Sequence, residues 1–162
     1  MKQNNNEMNE NKNMIEEIVK INEQRITNDI NEIDGIKRID FIDIFPISEE
    51  HRMKLDYEVK KVSKLIDSTE KGNFYLLDNP IKTKWGDLKF LKIRFYDKSK
   101  LYYEAAPDFE VENWEKLKEK SNSDRRFKFI ERQKWKAIEF KTDNCLVYFL
   151  NPLVTKVYGI KI

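Results

Sequence analysis

The chain has 162 residues, with 31 basic and 29 acidic side chains and a formal net charge of +2. That length suits one domain better than two marginal ones, and 40% hydrophobic with 12% aromatic residues excludes a wholly disordered chain. A single Cys145 excludes an internal disulfide. No apolar run reaches membrane-spanning length and the N-terminus lacks a signal core, so the sequence reads as that of a soluble cytoplasmic protein away from membranes.

Residues 1–13 are polar and crowded with Asn, and are expected to form a disordered tail. Over 14–35 the pattern turns helical. Ile15, Val19, Ile26, Ile30 and Ile33 share one stripe, with Asn22 and Asp29 inside it. The repeat is nearer eleven residues than seven, which suits a nearly straight helix laid on the protein's own core. The same stripe could instead join two copies or a protein partner through residues 14–33.

Residues 36–162 read as a single α+β domain. A strand at Ile39–Phe45 ends at Pro46, and Ser48 with Glu49 and Glu50 opens a helix expected to reach Ile66. Strands follow at Asn73–Leu77 and Leu88–Tyr96, the second entered through a hairpin at Trp85-Gly86-Asp87. A strand at Leu101–Ala105, a helix near Val111–Ser121 and strands at 127–132, 135–141 and 145–150 complete the pattern. The final piece, Val154–Ile162, reads as an edge strand. The sum is a mainly antiparallel sheet from two tandem β-α-β-β units, preceded by an amphipathic N-terminal helix. Tyr75-Leu76-Leu77-Asp78-Asn79-Pro80-Ile81 is echoed by Tyr148-Phe149-Leu150-Asn151-Pro152-Leu153, which suggests a duplication.

Catalytic motifs are sparse. His51 is the only histidine, so neither a two-histidine metal site nor HExxH can form in one chain, and no cofactor is indicated. Cys145 heads a run that is apolar on both faces and reads as inert packing. Strand alternation places Asp40 and Asp43 on opposite faces, which argues against a paired-carboxylate site. Glu104, Asp108, Glu110, Glu112 and Glu115 read as acids complementing a helix N-terminus. On these grounds the sequence points to a non-enzymatic protein.

Charge is unevenly spread. Residues 1–50 hold six basic and twelve acidic groups, while 81–103 and 120–141 each carry an excess of five positive charges. On the strand 88–96 one face presents Phe90, Lys92, Arg94 and Tyr96. The second basic block adds Arg125, Arg126, Lys128, Arg132 and Lys136. Cations beside aromatic rings on a sheet face suit a nucleic acid or nucleoprotein partner, so these nine residues are the expected binding site. The expected function is a small interaction protein, of a kind a phage or mobile element encodes. The abundance of Lys, Ile and Asn fits an AT-rich genome.

The tandem unit order, with Phe74-Tyr75-Leu76-Leu77-Asp78-Asn79-Pro80 as an aromatic strand and its exit, resembles the gyrase-inhibitor-like ligand-binding fold over about Ile39–Pro152. That resemblance implies a small-molecule-binding module with a cleft for hydrophobic cations, and it is the alternative function. The order is also compatible with the paired β-α-β-β-β modules of the vicinal oxygen chelate fold. One histidine leaves that family's usual metal ligands largely unfilled.

Overall fold

The computed structural model describes residues 3–100 and 103–161, with side chains from Met14 onward. Helix α1 (Gln3–Ile30) is followed by β1 (Ile36–Ile44), α2 (Glu49–Lys60), β2 (Ser63–Thr69), β3 (Gly72–Thr83) and β4 (Gly86–Arg94). Then come β5 (Ala105–Val111), α3 (Trp114–Lys120), β6 (Phe127–Glu131), β7 (Lys136–Lys141), β8 (Leu146–Asn151) and the short α4 (Val154–Val157).

The eight strands of the described residues form one mixed sheet in the order β2-β3-β4-β1-β5-β8-β7-β6. β1 runs parallel to β4 and β5 parallel to β8, while β1 and β5 meet antiparallel at the centre. The chain is therefore an α+β protein of two β-α-β-β-β units related about the β1–β5 seam. Each unit has one strand more after its helix than a β-α-β-β reading gives.

In the first unit that extra strand is β2, which lies where the sequence extends a helix to Ile66. α2 stops at Lys60 because Ser63 to Thr69 pairs with β3 instead. Apolar spacing at Leu55, Val59, Val62 and Ile66 fits both a helix and a helix that gives way to a strand. Ser48 caps α2 as expected, accepting from the His51 amide at 3.0 Å. β3 runs on through Asp78-Asn79-Pro80, absorbing the expected turn as an irregularity in its pairing with β4 between Leu76 and Ile81.

The helices α1, α2 and α3 pack on one face of the sheet. Ile15, Val19, Ile26 and Ile30 of α1 join Leu55, Val59, Tyr75, Leu91, Phe109, Phe140 and Phe149 in one core. α1 reaches both units. Asn22 donates to Glu104 at 2.8 Å, Thr142 donates to Asp29 at 2.7 Å, and the Lys84 amide donates to Glu23 at 2.9 Å. The helix stripe thus lies on the chain's own sheet. The same helix extends back through residues 3–13, the stretch the sequence assigns to a tail.

The opposite face carries the side chains of Phe41, Asp43, Phe74, Phe90, Lys92, Arg94, Ala106, Asp108 and Tyr148. Its cover comes from the C-terminal segment. Val154 and Tyr158, with Ile160 just beyond, pack on Phe41, Phe74 and Phe90. A strand was expected there. The chain instead makes a four-residue helix whose first amides, Val154 and Thr155, donate to Asp40 at 3.0 and 3.3 Å. We call this side the α4 face.

Candidate functional site

The β1–β5 seam gathers ionisable groups in the middle of the α4 face. Pairing sets their positions: Asp43 lies opposite Lys92 on β4 and Ala106 on β5, while Asp108 lies opposite Phe41 and Tyr148. Asp43 and Asp108 are therefore diagonal neighbours on one face, about 7–8 Å apart between backbones. Asp40 joins them because the β1–β5 register shifts between Ile39 and Phe41. A β-bulge of this kind breaks strict alternation and re-aims a side chain. The expectation that Asp40 and Asp43 lie on opposite faces fails for this reason.

The three acids differ in how they are satisfied. Asp40 accepts from the Val154 and Thr155 amides and the Thr155 hydroxyl, and pairs with Arg38 at 3.4 Å. Asp43 has one guanidinium, Arg94, at 3.5 Å. Among the described residues Asp108 has no hydrogen-bond partner: it is 1% exposed and both carboxylate oxygens are buried. Burial pushes its carboxyl well above the usual range, and the negative charges of Asp43 and Asp40 push the same way. Burial also raises Asp43, against the attraction of Arg94 and Lys92. A carboxyl so placed holds a proton at pH values where ordinary carboxyls have lost theirs.

Two further groups frame the acids. Lys92 is 8% exposed, and its ammonium sits 4.5 Å from the Phe74 ring centre. Burial lowers its proton affinity, while Asp43 opposes that shift. The Tyr148 phenol is pushed up by burial and by Glu139 beside it on β7.

A groove of about 560 Å³ opens at the edge of this face, where Leu76 and Lys89 meet Tyr158, Ile160 and Lys161. Among the described residues no three His, Cys, Asp or Glu side chains converge to hold a metal ion. Cys145 is buried, its thiol pushed up to about 12 by burial, and offers no nucleophile.

The nine residues expected from charge patterning divide between two places. Phe90 is fully buried in an aromatic cluster with Phe41 and Phe74 beneath the C-terminal segment, so with that segment in place it presents no ring to a base. Lys92 is buried and Arg94 lies over Phe45 with Asp43 as its partner, while Tyr96 follows the end of β4, half-buried. Alternation assigns Phe90 and Lys92 to a solvated surface; the C-terminal segment makes much of that surface interior. Lys128 belongs to β6, the far edge strand, five strand positions from β4. That is roughly 24 Å at the usual strand spacing. Arg126 is engaged by Asp124 and Glu32, Lys136 pairs with Glu131 at 3.4 Å, and Arg125 and Arg132 are exposed. The sheet does not bring the two basic blocks into one aromatic surface, and nothing in this geometry favours nucleic acid.

Asp108 is the residue the sequence reading misplaces. It sits on β5, not at a helix N-terminus, because the strand runs Ala105–Val111 and α3 starts only at Trp114. Pro107 in mid-strand, opposite Ile42, hides the strand from a pattern search, since proline is depleted there.

The fold defines the class first: an α+β protein with two β-α-β-β-β units in one eight-stranded mixed sheet. No family model and no curated protein matches the sequence. Among solved structures the chain is similar to one described as "Structural Genomics, Protein EC4020", at 8% identity over 77% of each chain with a TM-score of 0.60. It is also similar to a glyoxalase/bleomycin resistance protein/dioxygenase superfamily member from Vibrio splendidus 12B01. That match has 13% identity, covers 70% of this chain and 97% of the other, and has a TM-score of 0.44. At such identities the likeness is one of fold. The expectation of a non-enzymatic protein is corrected: it rested on an absence of sequence motifs, which does not set a chain apart from catalysis.

Proposed function

We propose that the chain is a small-molecule-binding module whose ligand is received on the α4 face, with Asp108 accepting a hydrogen bond from the ligand. The observation that carries this reading is the pair of Asp108 oxygens, buried and without a hydrogen-bond partner among the described residues. A buried carboxyl left alone costs several kcal/mol in effective terms, or takes up a proton. A ligand bearing an ammonium, guanidinium or hydroxyl donor would remove that cost, and Phe41 and Tyr148 beside Asp108 would pack against its apolar part. An interior polar group converging on apolar walls is the usual composition of a ligand site.

A second reading has its own support. Burial raises the proton affinity of the Asp108 carboxyl. A carboxyl shifted this way, placed beside a bound ligand, can deliver a proton to it, which is general acid chemistry. Binding and turnover would then use the same group.

The test is a binding screen by chemical-shift perturbation, with organic amines, guanidines and polyols against carboxylates of matched size. The reading expects donors to perturb residues around Ala106, Asp108 and Tyr148, and expects Asp108→Asn to weaken them at least ten-fold. If carboxylates bind as well as amines, or Asp108→Asn binds donors unchanged, the reading fails. Analysis of the bound compounds for chemical change decides the second reading.

A further inference from the structure

The three phenylalanines on the α4 face form a platform on neighbouring strands. Phe74 and Phe90 are stacked with centroids 5.2 Å apart and an interplanar angle of 9°, and Phe41 meets Phe90 edge-on at 5.8 Å. The sheet fixes these rings, since β3, β4 and β1 are continuous hydrogen-bonded neighbours. One further ring completes the set from outside the sheet. Tyr158 lies 5.1 Å from Phe74 and 5.6 Å from Phe90, and its hydroxyl donates to Asp67 at 2.5 Å.

The segment that brings Tyr158 there is built differently from the platform beneath it. It is a four-residue helix to which its own N-cap residue, Leu153, supplies no side-chain cap, and Val157 beside Tyr158 is 66% exposed. Its polar attachments are those of Val154 and Thr155 to Asp40 and of Tyr158 to Asp67. Leu153 and Thr155 are buried and Val154, Tyr158 and Ile160 pack on the platform, while Lys156, Val157, Gly159 and Lys161 face solvent. A short segment held by those side chains and a handful of hydrogen bonds opens at lower cost than the eight-stranded sheet it rests on. The groove of about 560 Å³ already runs along the flank of Tyr158, between Ile66, Leu76 and Ile160.

We infer that the Phe41, Phe74 and Phe90 platform is a subsite for a hydroxylated aromatic ring, and that Tyr158 fills it as an internal stand-in for that ring. This rests on the reading of the α4 face as a ligand site and names the ligand's apolar part. Tyr158 shows what the subsite accepts: a six-membered aromatic ring tilted on two phenyl faces, with a hydroxyl directed to the Asp67 carboxylate. Because Phe41 is the register partner of Asp108, a ligand that extends from the platform across β1 runs towards the Asp108 carboxyl on β5. Ligand and C-terminal segment compete for one place, so the segment sets the apparent affinity. The fraction of chains with the segment lifted multiplies the intrinsic affinity of the open platform.

The experiment uses the full-length chain, 4-methylphenol and toluene as probes, and methyl NMR signals as the readout. Val154 and Val157 report on the segment, Ile66 on the platform's edge, and Ala106 on the seam. In the wild-type chain 4-methylphenol is expected to shift Ile66 and to move Val154 and Val157 together towards solvent-like positions. Tyr158→Ala is expected to bind it at least ten-fold more tightly. Asp67→Ala is expected to abolish the preference for 4-methylphenol over toluene. Binding that leaves Val154 and Val157 unmoved in the wild type, no gain in Tyr158→Ala, or an unchanged preference in Asp67→Ala each overturns the inference. Thr155→Ala, which loosens the segment without enlarging the platform, is expected to bind more tightly than the wild type. If only Tyr158→Ala gains, its gain comes from a newly made cavity and the inference fails. Donor compounds that still shift Ala106 in an Asp108-dependent way would leave the proposed function standing when the subsite fails.

Discussion

At the scale of single residues, Asp108 is the group whose energetics and role diverge most. Its raised proton affinity in the folded chain comes first from burial and then from Asp43 and Asp40. The folded state therefore binds this proton more tightly than the unfolded state does. Stability contributed by that difference is fully present at low pH. It is lost as pH rises from the unfolded carboxyl value, about 3.9, through the folded one. Asp43 shifts in the same direction and adds to the slope. Asp124 has its carboxyl held down at about 2 by Arg126 and acts oppositely, but it lies half-buried at the surface, where solvent screens the pair. Urea unfolding of the wild type and of Asp108→Asn across the acid-to-neutral range checks this. The two are expected to be similar at the acid end, with the variant increasingly the more stable towards neutrality. A difference independent of pH would mean that Asp108 binds its proton equally well in the folded and unfolded chains.

At the scale of elements, the β3–β4 hairpin depends on one backbone approach. Gly72 pairs with Arg94, and a Cβ added there would lie 2.3 Å from the Ile93 carbonyl oxygen and 2.8 Å from the Arg94 Cα, at a φ of +154°. Both contacts are with backbone, which cannot swing away. Gly72→Ala is expected to cost more than about 1 kcal/mol, with the β3–β4 register disturbed at its open end. Gly159→Ala, at a φ of +66° but with nothing within 4 Å of the added atom, meets only backbone strain. It is expected to cost about 1–2 kcal/mol. The two midpoints in urea distinguish a steric clash from a conformational penalty.

The same scale shows what the sequence could reveal. Helical spacing in α1, the Ser48 cap and the strands β6 to β8 were legible because each is a local signal repeated over several residues. β2 was not, since Val62 and Ile66 satisfy two periods at once. β5 was not, since Pro107 interrupts it. The site suffered most, because it depends on what those errors conceal. Asp108 could be placed only by pairing β5 with β1, Asp40 only by the bulge, and the burial of Phe90 and Lys92 only by a C-terminal segment that returns over the sheet. Charge arithmetic sees none of these, because it assigns faces from alternation and assumes that a charged face is wet.

At the scale of the whole molecule, the question is whether the two units stand alone. Pairing at β1–β5 joins them through the sheet, and Trp85 from the β3–β4 hairpin packs edge-on against Phe109 of β5 at 5.1 Å. α1 adds a third link by lying across both units, with Asn22 on Glu104 and Asp29 on Thr142 in the second and Glu23 on Lys84 in the first. Ile26 lies in the buried stripe of that helix at 2% exposure. Ile26→Ala removes buried methylenes and leaves a cavity beneath α1, at a cost of about 2–5 kcal/mol. Were α1 an independent appendage, that cost would appear as fraying of the helix alone. Because the stripe packs on the common core, the whole sheet is expected to lose the stability together. Fluorescence of Trp85 in the first unit and Trp114 in the second provides separate reporters, each isolated by replacing the other tryptophans with phenylalanine. Coincident urea transitions, both shifted to lower urea in Ile26→Ala, are the expected result. Separated transitions, or a shift in one reporter only, would show that the two units fold as independent halves and that α1 serves just one of them.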